Sequence, residues 1–266
     1  MPSLKNHHSS GTTKLLLVGD PGSGKTGALA SLAAAGYKIR ILDLDNGVDV
    51  LRDLLTSGKY SSGIENVDYV TITEPMKNVA GKLIPFKASV WPRCASMLSD
   101  WTDGETKLGS ITTWDQNTVL VIDSLSLLSD AALSFILSLN GRLGQPPHQS
   151  DWGLAQGLVE SMLRMLYDES VKCNVVINCH MKPMGDDNGP ERYYPNTLGK
   201  ALPPKVGRYF NTVLLVQSSG RGSNLKRQIF TTPQGTIECK NTAPSKVLPS
   251  YPIETGLAEY FKAVRA

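Results

Sequence analysis

The sequence predicts an α/β fold: a mainly parallel, twisted sheet flanked by helices, with a C-terminal β extension. Three observations lead there. A short apolar strand, a small-residue helix and a second apolar strand follow one another between Lys14 and Leu44, a βαβ unit whose strands must run parallel. Later apolar runs, Val119 to Ile122 and Asn174 to Asn178, are strand-sized and sit between helical stretches. Three further strand-like segments near the end, Thr212 to Gln217, Lys226 to Thr232 and Thr236 to Lys240, form the extension.

Taken in order, Lys14 to Val18 is the first strand, and a Gly-rich turn follows it. The helix from about Lys25 to Ala35 ends where Gly36 occupies a C-cap position. Ile39 to Leu44 is a strand running into acidic residues, and Val48 to Leu55 is a helix. The region from Gly58 to Asn117 is less regular. It holds a strand at Tyr69 to Ile72 and an amphipathic helix at Trp91 to Trp101, whose Cys94, Met97, Leu98 and Trp101 share a face. Thr102 to Asn117 is expected to be a loop with at most a minor strand. Val119 to Ile122 is a buried strand ending at Asp123, and Ser124 and Ser126 are placed to cap the helix after it. Helices follow at Ser129 to Leu139 and Trp152 to Glu169, separated by the Gly-, Pro- and Gln-rich loop Asn140 to Asp151. Met181 to Pro204 is a long polar loop, Pro233-Gln234-Gly235 is a hairpin turn, and Gly256 to Arg265 is a closing helix.

A chain of 266 residues supports one large α/β domain, read here as residues 14–266 behind a polar arm of residues 1–13. Hydrophobic content of 41% with 19% charged residues excludes a disordered chain. The apolar runs fall far short of the roughly 20 residues of a membrane span, so no membrane partner is expected. The first residues lack the apolar core of a secretory signal. Cys94, Cys173, Cys179 and Cys239 form no CxxC pair; buried free thiols in a reducing cytoplasm fit both facts. The net charge of +3 is unevenly spread: Arg192 to Ile237 carries seven basic residues and no acidic one, a composition that suits a phosphate-bearing partner.

The chemistry centres on Gly19-Asp20-Pro21-Gly22-Ser23-Gly24-Lys25-Thr26. Placed between an apolar strand and a helix, Gly-x4-Gly-Lys-Thr is a phosphate-binding loop. Its glycines let backbone N–H groups wrap phosphates at a helix N-terminus. Lys25 is expected to reach the β- and γ-phosphates and Thr26 to ligate Mg²⁺, so ATP with Mg²⁺ is the expected ligand. Asp123, at the end of an apolar strand, supplies the second half of the metal site. Hydrolysis also needs a group to orient or deprotonate water. Asp43 and Asp45 end the strand after the loop helix and are expected on one face near the γ-phosphate, with Asp45 as the base. His180 follows the strand Asn174 to Asn178, in position to sense the γ-phosphate.

The order of these segments, from about Leu15 to Thr242, resembles the RecA-like recombinase core, especially small phage RecA-like ATPases linked to single-strand annealing. ILDLDNGVD is similar to the family segment whose glutamate activates water, and Asp45, one methylene shorter, takes that position. Asp49 falls where the family touches adenine. VLVIDSLSLL resembles the second nucleotide motif, and His180 replaces a glutamine switch. Asn140 to Asp151 and Met181 to Pro204 are similar in position to the family's two DNA-binding loops, which implies single-stranded DNA contacts by Arg142, Lys182, Arg192, Tyr193 and Tyr194. Cations on phosphates and rings on bases suit that partner. Lys240 in ECKNT resembles the position of a finger acting on a neighbouring subunit, without the arginine that helicases carry two residues later, a place that Lys200, Lys205 or Arg227 could fill instead. The resemblance therefore implies a DNA-stimulated ATPase in a ring- or filament-forming homo-oligomer, a single-strand-binding protein as an accessory partner, and action in the cytoplasm of a phage host. A hexameric motor and a nucleotide-dependent protein switch are the alternatives.

Overall fold

Leu15, Leu16 and Leu17 have no accessible surface, because their strand lies inside the sheet and is covered on both faces. The computed structural model describes residues 11–185 and 191–266. Most of the expected N-terminal arm and part of the expected loop after His180 therefore lie outside the described residues.

The chain begins with β1 (Lys14–Val18), α1 (Lys25–Ala34), β2 (Lys38–Asp43), α2 (Asp49–Thr56) and β3 (Val67–Thr71). Two small hairpins, β4 (Met76–Val79) with β5 (Lys82–Pro85) and β6 (Trp101–Asp103) with β7 (Thr106–Gly109), flank α3 (Val90–Ser99). Then come β8 (Thr118–Asp123), α4 (Leu125–Leu139), α5 (Gln149–Tyr167) and β9 (Asn174–Cys179). A hairpin of β10 (Met181–Met184) and β11 (Arg192–Pro195) precedes β12 (Thr212–Ser219), β13 (Lys226–Phe230), β14 (Ser250–Pro252) and α6 (Gly256–Arg265).

The main sheet has the order β14-β13-β12-β1-β9-β8-β2-β3. From β12 to β3 every pairing is parallel, and β13 and β14 extend the sheet antiparallel. Alternation along each strand splits the core in two. Leu16 and Val18 point into one layer with α3, α4 and α5. Leu15 and Leu17 point into the other, with α1, α2 and α6. Register brings the strand ends into one row: Asp43 pairs with Asp123, Asp123 with Asn178, and Cys179 with Val18. Every loop that leaves this row emerges at the carboxyl edge of a parallel sheet, where such folds bind ligands.

Several local expectations are corrected. The segment after His180 is a hairpin rather than a loop; Met181 to Met184 pairs with Arg192 to Pro195, so its backbone groups are satisfied by each other. Thr236 to Lys240 is not a strand of the extension; Lys240 makes only an isolated bridge to Val213. The free edge of β13 is taken by β14, whose Tyr251 is 3% exposed beside the fully buried Ile229. Burying those two side chains outweighs pairing the polar segment. Helix α5 starts at Gln149, because the Asp151 carboxylate reaches back to accept from His148 N–H at 2.7 Å, a capping arrangement.

Candidate nucleotide site

The turn between β1 and α1 is shaped by close backbone approach. A Cβ on Gly19 would lie 2.4 Å from the Val216 carbonyl oxygen. Gly24 has φ of 105°, and a Cβ there would meet Ile253 Cδ1 at 2.8 Å. Helix α1 starts at Lys25 with no side-chain cap, so its first N–H groups lack intrahelical acceptors and face an anion favourably. Ser23, 2% exposed, has a hydroxyl with no hydrogen-bond partner among the described residues.

Lys25, His180 and Asp45 form a connected row. Lys25 Nζ donates to the Gly19 and Asp20 carbonyls at 2.9 and 3.0 Å and lies 3.4 Å from His180 Nδ1. His180 Nε2 lies 3.3 Å from Asp45 Oδ2. With the ammonium as donor, Nδ1 accepts and the Nε2 proton faces Asp45. Asp45 Oδ1 accepts from the Ser124 hydroxyl at 2.9 Å. Ser124 therefore serves Asp45 instead of capping α4, and the Ser126 hydroxyl accepts from His180 N–H at 3.2 Å. Burial raises the Asp45 carboxyl, but hydrogen bonds from His180 and Ser124 and the nearby Lys25 ammonium outweigh it, leaving the pKa below the usual value. Burial lowers the Lys25 pKa, against the pull of Asp123, Cys179, Asp45 and Asp20.

Asp43 does not join Asp45, contrary to the expectation from alternation. Strand β2 ends at Asp43, and Leu44 and Asp45 then turn to donate their N–H groups to the Asp123 carbonyl at 2.6 and 3.1 Å. The buried Asp43 carboxylate instead accepts from Gly47 N–H and the Thr71 hydroxyl, each at 3.1 Å.

Thr26 Oγ1 donates to Asp123 Oδ2 at 2.6 Å. Burial pushes the Asp123 carboxyl up, and the charges of Asp45 and Asp43 add to the rise against the pull of the Thr26 hydroxyl and the Asn178 amide. Asn178 is fully buried beside it, near enough to act on the carboxylate, although neither amide atom reaches hydrogen-bond geometry with a described residue. The Thr26 hydroxyl, the desolvated Asp123 carboxylate and the Asn178 amide oxygen are hard oxygen donors that fit Mg²⁺.

These groups sit in a cleft of about 490 Å³. Lys25, Thr26, Asp45, Asp123 and His180 give it polar walls, and Val50, Leu54, Tyr60 and Ile253 give it apolar ones. Asp49 opens α2 and lines a neighbouring depression with Arg52 and Tyr69, whereas Val50 and Leu54, four residues apart, line the cleft.

The expected DNA contacts divide. Arg142 donates to Asp151, whose carboxyl its guanidinium holds below the usual range, and so ties the α4–α5 loop. Lys182 Nζ donates to the Thr197 and Gly199 carbonyls, and burial lowers its pKa. Neither offers a free cation, because the folded chain supplies their acceptors. Arg192, Tyr193 and Tyr194 stand on β11 beside a small cavity of about 140 Å³ that Lys240 also lines. Lys240 Nζ donates to the Phe210 carbonyl at 2.7 Å, outside its own chain's nucleotide cleft. Cys179 is wholly buried against Ser126, and burial pushes its thiol up to about 12. Burial also pushes Cys94 to about 12, Cys239 to about 11 and Cys173 upward.

Sequence reasoning missed Ser124 as a partner of Asp45 and the apolar walls of the cleft. A hydroxyl directly after Asp123 was legible as a cap, and only the turn at Leu44 redirects it.

A family model described as an AAA domain matches residues 12–243. The chain belongs to the AAA-domain family. The match runs from the first strand of this AAA domain through its phosphate loop and the β10–β11 hairpin. No curated protein matches the AAA domain described here. Among solved structures, it is similar to the KaiC-like protein PH0186 of Pyrococcus horikoshii OT3, with 15% identity, TM-score 0.42 and coverage of 90% of this chain and 84% of that one. It is also similar to the flagellar accessory protein FlaH of Methanocaldococcus jannaschii, with 13% identity, TM-score 0.41 and coverage of 92% and 87%.

Proposed function

We propose that this AAA domain hydrolyses ATP and couples the hydrolysis to single-stranded DNA held at the β10–β11 hairpin of a homo-oligomer. One observation carries the reading. His180 touches both Lys25 and Asp45 and is the residue immediately before β10, so a change at the phosphates is one peptide bond from the hairpin.

The roles follow from the groups. Lys25 exchanges the Gly19 and Asp20 carbonyls for the β- and γ-phosphate oxygens, a stronger, fully charged pairing. Asp45, ionised and held by Ser124 and His180, accepts a hydrogen bond from water and orients it toward the γ-phosphorus. Thr26 and Asp123 would hold Mg²⁺, which when bound neutralises charge developing on the phosphates. His180 registers the γ-phosphate through its contacts with Lys25 and Asp45. On the hairpin, Arg192 meets backbone phosphates and Tyr193, 37% exposed, stacks on a base. Lys240 serves the cleft of a neighbouring copy.

Steady-state ATPase assays with and without single-stranded DNA, at low and moderate salt, test the coupling. Stimulation that is lost in Arg192→Ala with Tyr193→Ala supports it. Equal turnover with and without DNA, or no DNA binding at about 50 mM salt where phosphate attraction is strong, would remove DNA from the reading and return the hairpin to a protein partner.

A further inference from the structure

Arg227 overhangs the phosphate loop from the sheet extension. An ideal Cβ on Gly24 would lie 2.9 Å from Arg227 Cδ and 3.6 Å from its Nε, so the guanidinium starts directly above the turn leading into α1. The side chain lines the cleft and is exposed. It makes no hydrogen bond or ion pair with another described residue, although Glu254 lines the same cleft.

Its position is not that of a mobile loop residue. Arg227 pairs with Ser218 in β12, and its carbonyl accepts from Ile253 N–H at 3.1 Å. Strand β13 is thus held on both sides, and the side chain is presented from a rigid support.

The cleft's polar and apolar lining suits the two parts of a nucleoside triphosphate. The connected row Lys25, His180 and Asp45 takes the γ-phosphate. Val50, Leu54, Tyr60 and Ile253 supply apolar walls suited to the base. Arg227 and Ile253 both stand over Gly24, the residue before Lys25, so the guanidinium lies beside an apolar wall and off the row that takes the γ-phosphate.

We infer that Arg227 is an intramolecular binding residue for the α-phosphate and ribose end of the nucleotide, shared by substrate and product. The inference rests on reading the cleft as a nucleotide site. A planar guanidinium suits this place because it forks onto a phosphate while its stem packs on the loop. A group at this end contacts ADP and ATP alike, so it strengthens binding without sensing the γ-phosphate. It also retains ADP, which slows product release. This differs from a finger that reaches a neighbour's γ-phosphate.

Calorimetric titration of the full chain with Mg-ADP and with a non-hydrolysable Mg-ATP analogue tests it. Arg227→Gln keeps the stem over Gly24 and removes the charge; Arg227→Ala removes both. Both variants should weaken the two nucleotides by the same factor, about tenfold, as expected for loss of one charged hydrogen bond. Loss confined to the ATP analogue would overturn the inference in favour of a γ-phosphate contact. Unchanged affinity for both nucleotides, with both weakened by Lys25→Ala, would overturn it and leave the nucleotide site standing. Unchanged affinity in Lys25→Ala would instead bring down the nucleotide reading itself.

Discussion

The Thr26 hydroxyl donates to the Asp123 carboxylate at 2.6 Å across 97 residues of chain. The strand bearing Asp123 is not the neighbour of the strand that launches the phosphate loop; β9 lies between them. The contact spans that crevice, so the two halves of the proposed metal site meet only when β1, β9 and β8 are in register.

Asp123 should cost the fold what it gives to function. Its folded pKa is raised by burial and by Asp45 and Asp43. Such a carboxyl is fully compatible with folding below the ordinary carboxylate pKa, and that benefit is lost as pH rises through the raised value. Asp123→Asn should therefore stabilise the nucleotide-free chain at neutral pH by about 1 kcal/mol, seen as about 2–4 °C in Tm. The gain should vanish in acid, and Mg²⁺-dependent turnover should be lost. A lower Tm at neutral pH would refute the electrostatic cost.

Asp45 should behave oppositely. Its pKa is lowered, so its contribution is present above the ordinary carboxylate pKa and fades as pH falls through the lowered one. Asp45→Asn should lower Tm at neutral pH, retain ATP binding and reduce kcat by about 10²–10⁴. Full turnover in this variant would take water activation away from Asp45.

Lys25→Ala should abolish hydrolysis and weaken ATP and ADP. Its amine is the cation held over the loop carbonyls and has no substitute within the turn. Equilibrium binding with a fluorescent nucleotide and a phosphate-release assay check both parts; unchanged turnover would exclude the loop from the chemistry.

Lys14 sets a separate pH dependence. It is 5% exposed, donates to the Val171 and Cys173 carbonyls, and burial lowers its pKa to about 8. Between about 8 and the ordinary 10.5 the unfolded chain holds the proton and the folded chain releases it, so stability rises with pH there. Denaturant unfolding across that window should show the native chain gaining on Lys14→Met. Parallel curves would rule out a depressed pKa.

The sheet was legible because its strands are short apolar runs and the phosphate loop fixes where the first one ends. Lys25, Thr26 and Asp123 were readable for the same reason: each is tied to a strand end. Asp43 and Asp45 were not separable, because alternation assumes a strand that continues, and β2 stops at Asp43. The β4–β5 and β10–β11 hairpins were missed because none of their residues is buried and they carry no clean alternation. The internal partners of Arg142 and Lys182 lie in the folded neighbourhood, which local charge cannot reveal.

All four native thiols are raised by burial, to about 11 or 12 where a value is set, and a thiol is reactive only as thiolate. The three buried thiols and the part-buried Cys239 should therefore react only slowly with maleimide dyes at neutral pH. A single cysteine introduced at Tyr193 would take the label selectively, and its emission would follow the hairpin in real time with no native cysteine removed.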